Sequence, residues 1–156
     1  MTMISLRKVQ RNEIDVLHQI QLTAFRALLD KYQDLDTNPG AEGIERIAER
    51  YDQEYTNYYF IQHNDTIIGM IRVCDFGDIC HVSPICILPE YQGNGYAQKA
   101  MLLAEKQYPN ARKWRLDTIR QEQKLCYLYE KLGYVKTGKQ KHVQEGMDLV
   151  YYAKMI

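Results

Sequence analysis

Residues 92–97, with the sequence Gln-Gly-Asn-Gly-Tyr-Ala, have the composition of an anion-binding turn. They follow the apolar run 85–88 and open a stretch with the apolar spacing of an amphipathic helix, 96–107. Backbone N–H groups at the start of a helix have no intrahelical partners, and the helix dipole places partial positive charge there. Glycines also let the backbone approach a bound anion closely. The segment therefore predicts a phosphate-binding site between a strand and a helix.

Three phosphate-binding patterns can be compared with this turn. A Walker A loop requires Gly-Lys-Ser/Thr, but Gly95 is followed by Tyr96 and Ala97. A dinucleotide-binding fingerprint requires Gly or Ala where this chain has Gln98. The third pattern, Gln/Arg-x-x-Gly-x-Gly/Ala, is met by Gln92, Gly95 and Ala97.

Two segments carry a resemblance to a known family. Residues 89–95, Pro-Glu-Tyr-Gln-Gly-Asn-Gly, are similar to the core motif of the GNAT N-acetyltransferase superfamily. Residues 128–134, Leu-Tyr-Glu-Lys-Leu-Gly-Tyr, resemble its second signature. The resemblance implies the family's fold, acetyl-CoA as co-substrate and transfer of its acetyl group to an amine.

The same resemblance assigns coenzyme contacts to two stretches. The backbone of Ile85, Cys86 and Ile87 would pair with the pantetheine arm like an added strand, and Ile87 would mark where the acetyl thioester is held. Backbone N–H groups of the turn would bind the pyrophosphate of coenzyme A. These N–H groups belong to Gln92, Gly93, Asn94, Gly95, Tyr96 and Ala97.

Tyr129 is expected to be the general acid for the leaving thiolate, because it matches the family's tyrosine near the coenzyme sulfur. The alternative is a core position, since Tyr129 also lies in the apolar stripe of its helix. The family often has an asparagine seven residues earlier that bonds the pantetheine. This chain has Glu122 there, a departure that bears on that contact.

Acetyl transfer also needs a base, because an ammonium group has no lone pair. A lysine-like amine with a pKa of about 10.4 is neutral only about once in 2,500 molecules at pH 7. His81 is the predicted base, since strand alternation puts it on the face of Ile85 and Ile87, and an unperturbed histidine titrates near about 6.5. A bulge at Pro84 would break that alternation. The alternatives are a water chain or a carboxylate, from Asp75, Asp78 or Asp117.

The apolar periodicity predicts a mixed α/β sheet in a single domain, residues 1–156. A strand at 4–9 precedes two helices, the second of which is expected to start at Asn38 and Pro39. A strand meander should follow, and then the order β-α-β-α-β-β. The predicted elements of this part are strands at 58–63, 66–73 and 79–88, a helix at 96–107, a strand at 113–118, a helix at 121–132 and strands at 134–137 and 147–155.

The composition narrows the expected partners and location. Lys plus Arg and Asp plus Glu both number 20, and no polybasic tract is present, so neither nucleic acid nor an anionic membrane is an expected partner. No apolar run reaches membrane-spanning length and no signal peptide is evident, which favours a cytoplasmic location. The four cysteines form no Cys-x-x-Cys pair. This spacing favours buried, reduced thiols, and no metal site is expected.

Together these features predict an enzyme that moves an acetyl group from acetyl-CoA directly to a primary amine of a small molecule or peptide. Tyrosines and carboxylates at 32–36 and 51–55 suit a cationic amine or a solvated loop equally well. One alternative is an acyl-CoA-binding sensor or scaffold without turnover, and another is a nucleotide-binding module. A homodimer is left open, with the strand at 148–155 as a candidate for a shared sheet.

Overall fold

A computed structural model of the chain describes residues 3–156. Seven strands form one sheet in the order β1-β2-β3-β4-β5-β7-β6. The strands are β1 (Ile4–Lys8), β2 (Thr56–His63), β3 (Thr66–Asp75), β4 (Ile79–Ile87), β5 (Lys113–Ile119), β6 (Val135–Gln144) and β7 (Met147–Met155). Neighbouring strands are antiparallel except for β4 and β5, which are parallel. The predicted mixed α/β fold is confirmed.

Four helices cover the two faces of the sheet. They are α1 (Ile14–Tyr32), α2 (Ile44–Tyr51), α3 (Tyr96–Gln107) and α4 (Gln123–Lys131). On the α1/α2 face, Leu17 and Ile47 pack in one apolar cluster with Met70 of β3. On the α3/α4 face, Met101 and Tyr129 belong to a second, larger cluster. Burial of each large apolar side chain stabilises the fold by about 1.5–3 kcal/mol, and the two clusters fix the sheet between the helices.

Strands β4 and β5 pair at one end only. Their pairing is limited to residues 79–81 of β4 and 113–115 of β5, although both strands continue beyond these residues. The carboxyl ends of the two strands therefore leave a gap in the sheet. Open α/β sheets bind ligands at the carboxyl ends of their strands, so this gap is a natural place for a site.

A bulge in β4 lies where the gap begins. Ile71 of β3 is opposite Ile85, whereas Val73 is opposite Val82, so β4 carries one extra residue across Ser83-Pro84. Proline cannot donate a ladder hydrogen bond and is tolerated at such bulges. The extra residue reverses the alternation of side chains, because Val82 and Ile85 now point to the same face.

The expected start of the second helix is wrong, and β6 extends to Gln144, beyond the predicted end at 137. Asn38 and Pro39 begin a single 3-10 turn, in which the Asn38 side chain accepts a hydrogen bond from the Gly40 N–H at 2.7 Å. Helix α2 begins only after Gly43, because glycine disfavours helix continuation. Strand β7 lies between β5 and β6. Both of its edges are paired, so it offers no free edge to a second copy.

The cysteines lie in the interior and form no disulfide. Cys74, Cys80, Cys86 and Cys126 are all buried and free, as the sequence indicates. Burial raises the pKa of the Cys86 thiol to about 12, so this residue is not a thiolate nucleophile at neutral pH. Within residues 3–156, no helix is both long enough and apolar enough to cross a bilayer.

Candidate active site

The glycine-rich turn presents free backbone N–H groups at the start of α3. Gly93 and Gly95 have φ angles of +82° and +76°, in the left-handed region that favours glycine. The first backbone hydrogen bond at the start of α3 runs from the Lys99 N–H to the Gly95 carbonyl. Among the described residues, the N–H groups of 93–98 find no acceptor, and a Cβ on Gly93 would meet nothing within 4 Å. The turn therefore has the free N–H groups and the open space that an anion-binding turn requires.

Gln92 and Asn94 hold the turn in shape. The Gln92 side chain donates to the Ile87 carbonyl at 2.8 Å, and its backbone N–H donates to the Pro89 carbonyl at 3.2 Å. The Asn94 side chain donates to the Tyr91 carbonyl at 3.1 Å. The Gln92 N–H is thus already occupied, in contrast to the expectation that it would bind the coenzyme. Its side chain instead joins the turn to the end of β4.

One edge of β4 is open beside this turn. Residues 85–87 pair with β3 on one side, and β5 no longer pairs with them on the other. Extended ligands bind such edges through main-chain hydrogen bonds. The side chains of Ile85 and Ile87 join the α3/α4 cluster, whereas Cys86 joins the α1/α2 cluster. A linear amide-containing chain can therefore lie along β4 between the gap and the turn.

A cavity of about 140 Å³ connects the two faces through the gap. Phe25 lines it from the α1/α2 face and Tyr129 from the α3/α4 face. Ser83-Pro84 and Asp117 line it within the gap. The structure thus brings the predicted acid Tyr129 and the candidate carboxylate Asp117 to one space.

Tyr129 has a free hydroxyl. Its ring lies in an aromatic group with Tyr134 and Tyr152, at centroid distances of 6.2 and 6.4 Å. The neighbouring hydroxyls donate to Glu105 and Glu130 at 2.8 and 2.6 Å, whereas the Tyr129 hydroxyl has no hydrogen-bond partner within residues 3–156. Burial raises the pKa of Tyr129, so the phenol is protonated at neutral pH. It can therefore serve as a proton donor to a group in the cavity.

His81 lies on the α1/α2 face and not on the face of Ile85 and Ile87. It is opposite Cys74 of β3, whereas Ile85 is opposite Ile71, and these two β3 residues point to opposite faces. The expected shared face is therefore wrong, and the extra residue in the β4 bulge is the cause.

The protonation equilibria of His81 and Asp117 are both perturbed. Burial and the nearby Arg115 and Arg72 cations lower the pKa of His81 to about 4, well below the ordinary value that the sequence suggested. Burial raises the pKa of Asp117. The His81 Nε2 lies 3.8 Å from an Asp117 carboxylate oxygen, and the buried Nδ1 has no partner among the described residues. At neutral pH the pair is a neutral imidazole beside a carboxylate. The neutral imidazole can accept a proton.

Sequence reasoning did not find Arg72. This buried residue donates from Nη1 to the Ser83 carbonyl at 3.0 Å, which links it to the bulge. Its other groups donate to Gln53 at 3.1 Å and to Thr56 at 3.2 Å. It has no carboxylate partner within residues 3–156. The only signal in the sequence is a single positive charge within the apolar strand 66–75.

Glu122 is occupied by contacts with α1. Its Oε2 accepts hydrogen bonds from Lys31 Nζ at 2.6 Å and from the Tyr32 hydroxyl at 2.5 Å. Burial raises the pKa of Glu122, but these hydrogen bonds outweigh it and lower the pKa overall. The side chain that replaces the family's frequent asparagine therefore joins the start of α4 to the end of α1.

The mixed sheet thus splits after its parallel pair, and a turn with free backbone N–H groups lies beside the split. A family model described as the acetyltransferase (GNAT) domain matches residues 31–156, and the chain belongs to that family. It is accordingly an acyltransferase. No curated protein matches the sequence significantly.

Solved structures share this fold over nearly the whole chain. One is a spermidine N-acetyltransferase from Vibrio cholerae in complex with CoA and spermine, at 19% identity and a TM-score of 0.74, covering 97% of this chain and 95% of that chain. Another is the ribosomal-protein-S18-alanine N-acetyltransferase from Escherichia coli, at 16% identity and a TM-score of 0.76, covering 100% and 94%. An acetyltransferase from Thermus thermophilus has 14% identity and a TM-score of 0.73, covering 98% and 97%. These similarities establish the fold.

Proposed function

We propose that the protein transfers an acetyl group from acetyl-CoA directly to a primary amine. The observation that carries this proposal is the continuity of three features along and after β4. The bulge opens the gap, the unpaired edge at 85–87 follows, and the free N–H groups of 93–98 come next. A ligand with a reactive end, an amide-containing arm and a pyrophosphate matches this order, and coenzyme A has these three parts.

In this proposal the coenzyme lies on the α3/α4 side of the gap. The N–H groups of 93–97 bind the pyrophosphate, and residues 85–87 bind the pantetheine arm through their open edge. The thioester then reaches the cavity beside Tyr129. The amine enters from the α1/α2 side, so the two reactants meet in the gap.

The proton transfers are assigned to Tyr129, which lines the cavity, and to His81, which lies beside the cavity-lining Asp117. An ammonium must lose a proton before attack, which costs roughly 4.6 kcal/mol for a lysine-like amine at pH 7. His81, with Asp117 beside it, accepts that proton. The C–N bond then forms, and the tetrahedral intermediate collapses with cleavage of the C–S bond. Tyr129 donates its proton to the leaving thiolate and takes up the second proton that the nitrogen loses as the amide forms, while His81 releases its proton to solvent. Burial raises the pKa of Asp117 and makes its carboxylate a stronger base than usual, whereas the lowered pKa of His81 makes the imidazole a weaker base than an ordinary histidine.

Thermal melting with acetyl-CoA, ATP and NAD in parallel tests the coenzyme assignment. A ligand at 100 times its Kd stabilises the folded state by about 2.7 kcal/mol, which for this chain length is a rise of roughly 5–10 °C in Tm. We expect the rise with acetyl-CoA alone. A rise with ATP or NAD would support a nucleotide-binding module instead. Binding of acetyl-CoA without thiol release for any amine would support an acyl-CoA sensor.

A further inference from the structure

We propose that the preferred acceptor is a primary amine on an apolar chain or ring that carries no second positive charge. This inference rests on the proposed acetyl transfer and concerns the part of the cavity that faces α1. It follows from the composition of the cavity wall, from the charges that surround Asp117 and from the partners of the nearby carboxylates.

The acceptor side of the cavity is lined by several apolar side chains and by the neutral polar residues Thr37 and Asn38. Phe25 and Leu28 line it from α1, and Met147 and Leu149 line it from β7. Asp117 is the only charged residue among those that line the cavity within the described chain. One ammonium can therefore pair with a carboxylate, while the atoms behind it contact apolar side chains. A second buried charge would lack a partner there, which is unfavourable.

The charges around Asp117 are also unfavourable for a second cation. Lys141 and Lys139 lie close enough to oppose the effect of burial on the pKa of Asp117. Lys139 Nζ lies 4.7 Å from the ring centroid of Tyr151, the residue opposite Asp117 in the β5–β7 pair. Arg115, which acts on His81, has no carboxylate partner within residues 3–156. A polyamine would bring further positive charge to a region that is already cationic.

Three other carboxylates near α1 are already paired, whereas Asp30 and Asp36, at its C-terminal end, are exposed and do not line the cavity. Glu122 accepts from Lys31, and Glu42 forms an ion pair with Arg50 at 2.8 Å. Asp34 is buried and accepts hydrogen bonds from its own turn. None of these three paired carboxylates is free to bind a distal ammonium. The site is therefore built for one ammonium at Asp117 and an apolar body.

The test compares hexylamine with hexamethylenediamine, which differ by one terminal ammonium on the same carbon chain. The measurement is kcat/KM from acetyl-CoA-dependent thiol release, with the acetylated products identified by mass spectrometry. We expect hexylamine to be favoured by at least about tenfold, equivalent to about 1.4 kcal/mol in the transition state, and phenethylamine to be accepted as well. Equal or faster transfer to the diamine or to spermidine would overturn this inference and leave the proposed acetyl transfer intact. No transfer to any amine would overturn both.

A matched pair of variants locates the preference in the cavity wall. Leu28→Glu adds a carboxylate to the half-buried apolar wall, and Leu28→Gln adds the same shape without the charge. We expect Leu28→Glu to raise the diamine-to-monoamine ratio of kcat/KM several-fold above that of Leu28→Gln. Because the ratio is taken within one variant, a loss of folded protein cancels. Equal ratios for the two variants would show that this wall does not contact the acceptor body.

Discussion

Replacement of Tyr129 by Phe should separate catalysis from stability. The ring is buried at 7% exposure in contact with Tyr134 and Tyr152, and Phe preserves that packing. The Tyr129 hydroxyl has no hydrogen-bond partner among the described residues, so its removal breaks no hydrogen bond. We expect the free energy of unfolding to change by less than about 0.5 kcal/mol, below the value of about 1 kcal/mol for a typical hydrogen bond.

The rate should fall much more than the stability. Loss of a general acid or base costs about 10²–10⁴-fold in rate. A thiol with a pKa near about 8.5 leaves fairly well without help, so the lower end applies. We expect kcat for Tyr129→Phe to fall about 100-fold, equivalent to about 2.7 kcal/mol, with little change in the affinity for acetyl-CoA. Thiol-release kinetics and urea unfolding measure the two effects.

Tyr134→Phe is the matched control. The Tyr134 hydroxyl donates to the Glu105 carboxylate at 2.8 Å, and Lys154 also bonds Glu105, so the carboxylate keeps one partner after the change. We expect a loss of about 1.5 kcal/mol in the free energy of unfolding, or roughly 3–6 °C in Tm, with kcat within a few-fold of the wild type. An unchanged kcat in Tyr129→Phe would refute the acid role. If Tyr129→Phe loses both rate and stability, and the stability loss is as large as that of Tyr134→Phe, Tyr129 would be assigned to the core.

Three further perturbations test the turn, the base and the bulge. Gly95→Trp should abolish acetyl-CoA binding, as measured by calorimetry. Gly146→Trp, at a φ of +79° in the β6–β7 turn, introduces similar backbone strain away from the site and should retain binding. Retained binding in Gly95→Trp would exclude the turn as the phosphate site. The pKa of His81 is about 4 in the folded protein, below its ordinary value near about 6.5, so the unfolded chain takes up this proton first. The contribution of His81 to the free energy of unfolding should therefore be complete above about pH 6.5, and the free energy of unfolding should fall by up to about 3 kcal/mol as the pH decreases to 4. His81→Asn should flatten this pH dependence in urea unfolding. An identical slope in the variant would contradict the pKa shift. Arg72→Met should raise the KM for acetyl-CoA, because the bulge loses its hydrogen bond at Ser83. It should also move the acid limb of the pH–rate profile to higher pH, because a cation that lowers the pKa of His81 is removed. An unchanged profile would show that Arg72 does not act on His81.

The sequence predicts those parts of the site that depend on local signals. The two glycines and the following apolar period indicate both the turn and helix α3, whose bounds agree with the prediction at 96–107. The wrong start of the second helix is also local in origin, because Gly40 and Gly43 interrupt the helix that Asn38 and Pro39 suggest. A closer reading of glycine propensity corrects it.

The rest of the site depends on how strands align, which a single sequence does not specify. Pro84 signals a disturbance in β4, but the face of His81 is decided by the count of residues between two pairings with β3. Arg72 acts through Gln53 and Thr56, which approach it only when β2 and β3 pair. The proximity of His81 and Asp117 likewise follows from the short parallel pairing of β4 with β5.

Amine-dependent release of coenzyme A from acetyl-CoA is the most direct test of acetyl transfer by this protein. The protein is mixed with acetyl-CoA and, separately, with hexylamine, phenethylamine, spermidine and a peptide with a free amino terminus, and both the thiol and the acetylated product are quantified. We expect thiol release to require an amine, to equal the amount of N-acetylated product and to leave no acetylated protein. Binding of acetyl-CoA with no amine-dependent thiol release, or acetylation of the protein itself before the amine, would contradict direct transfer.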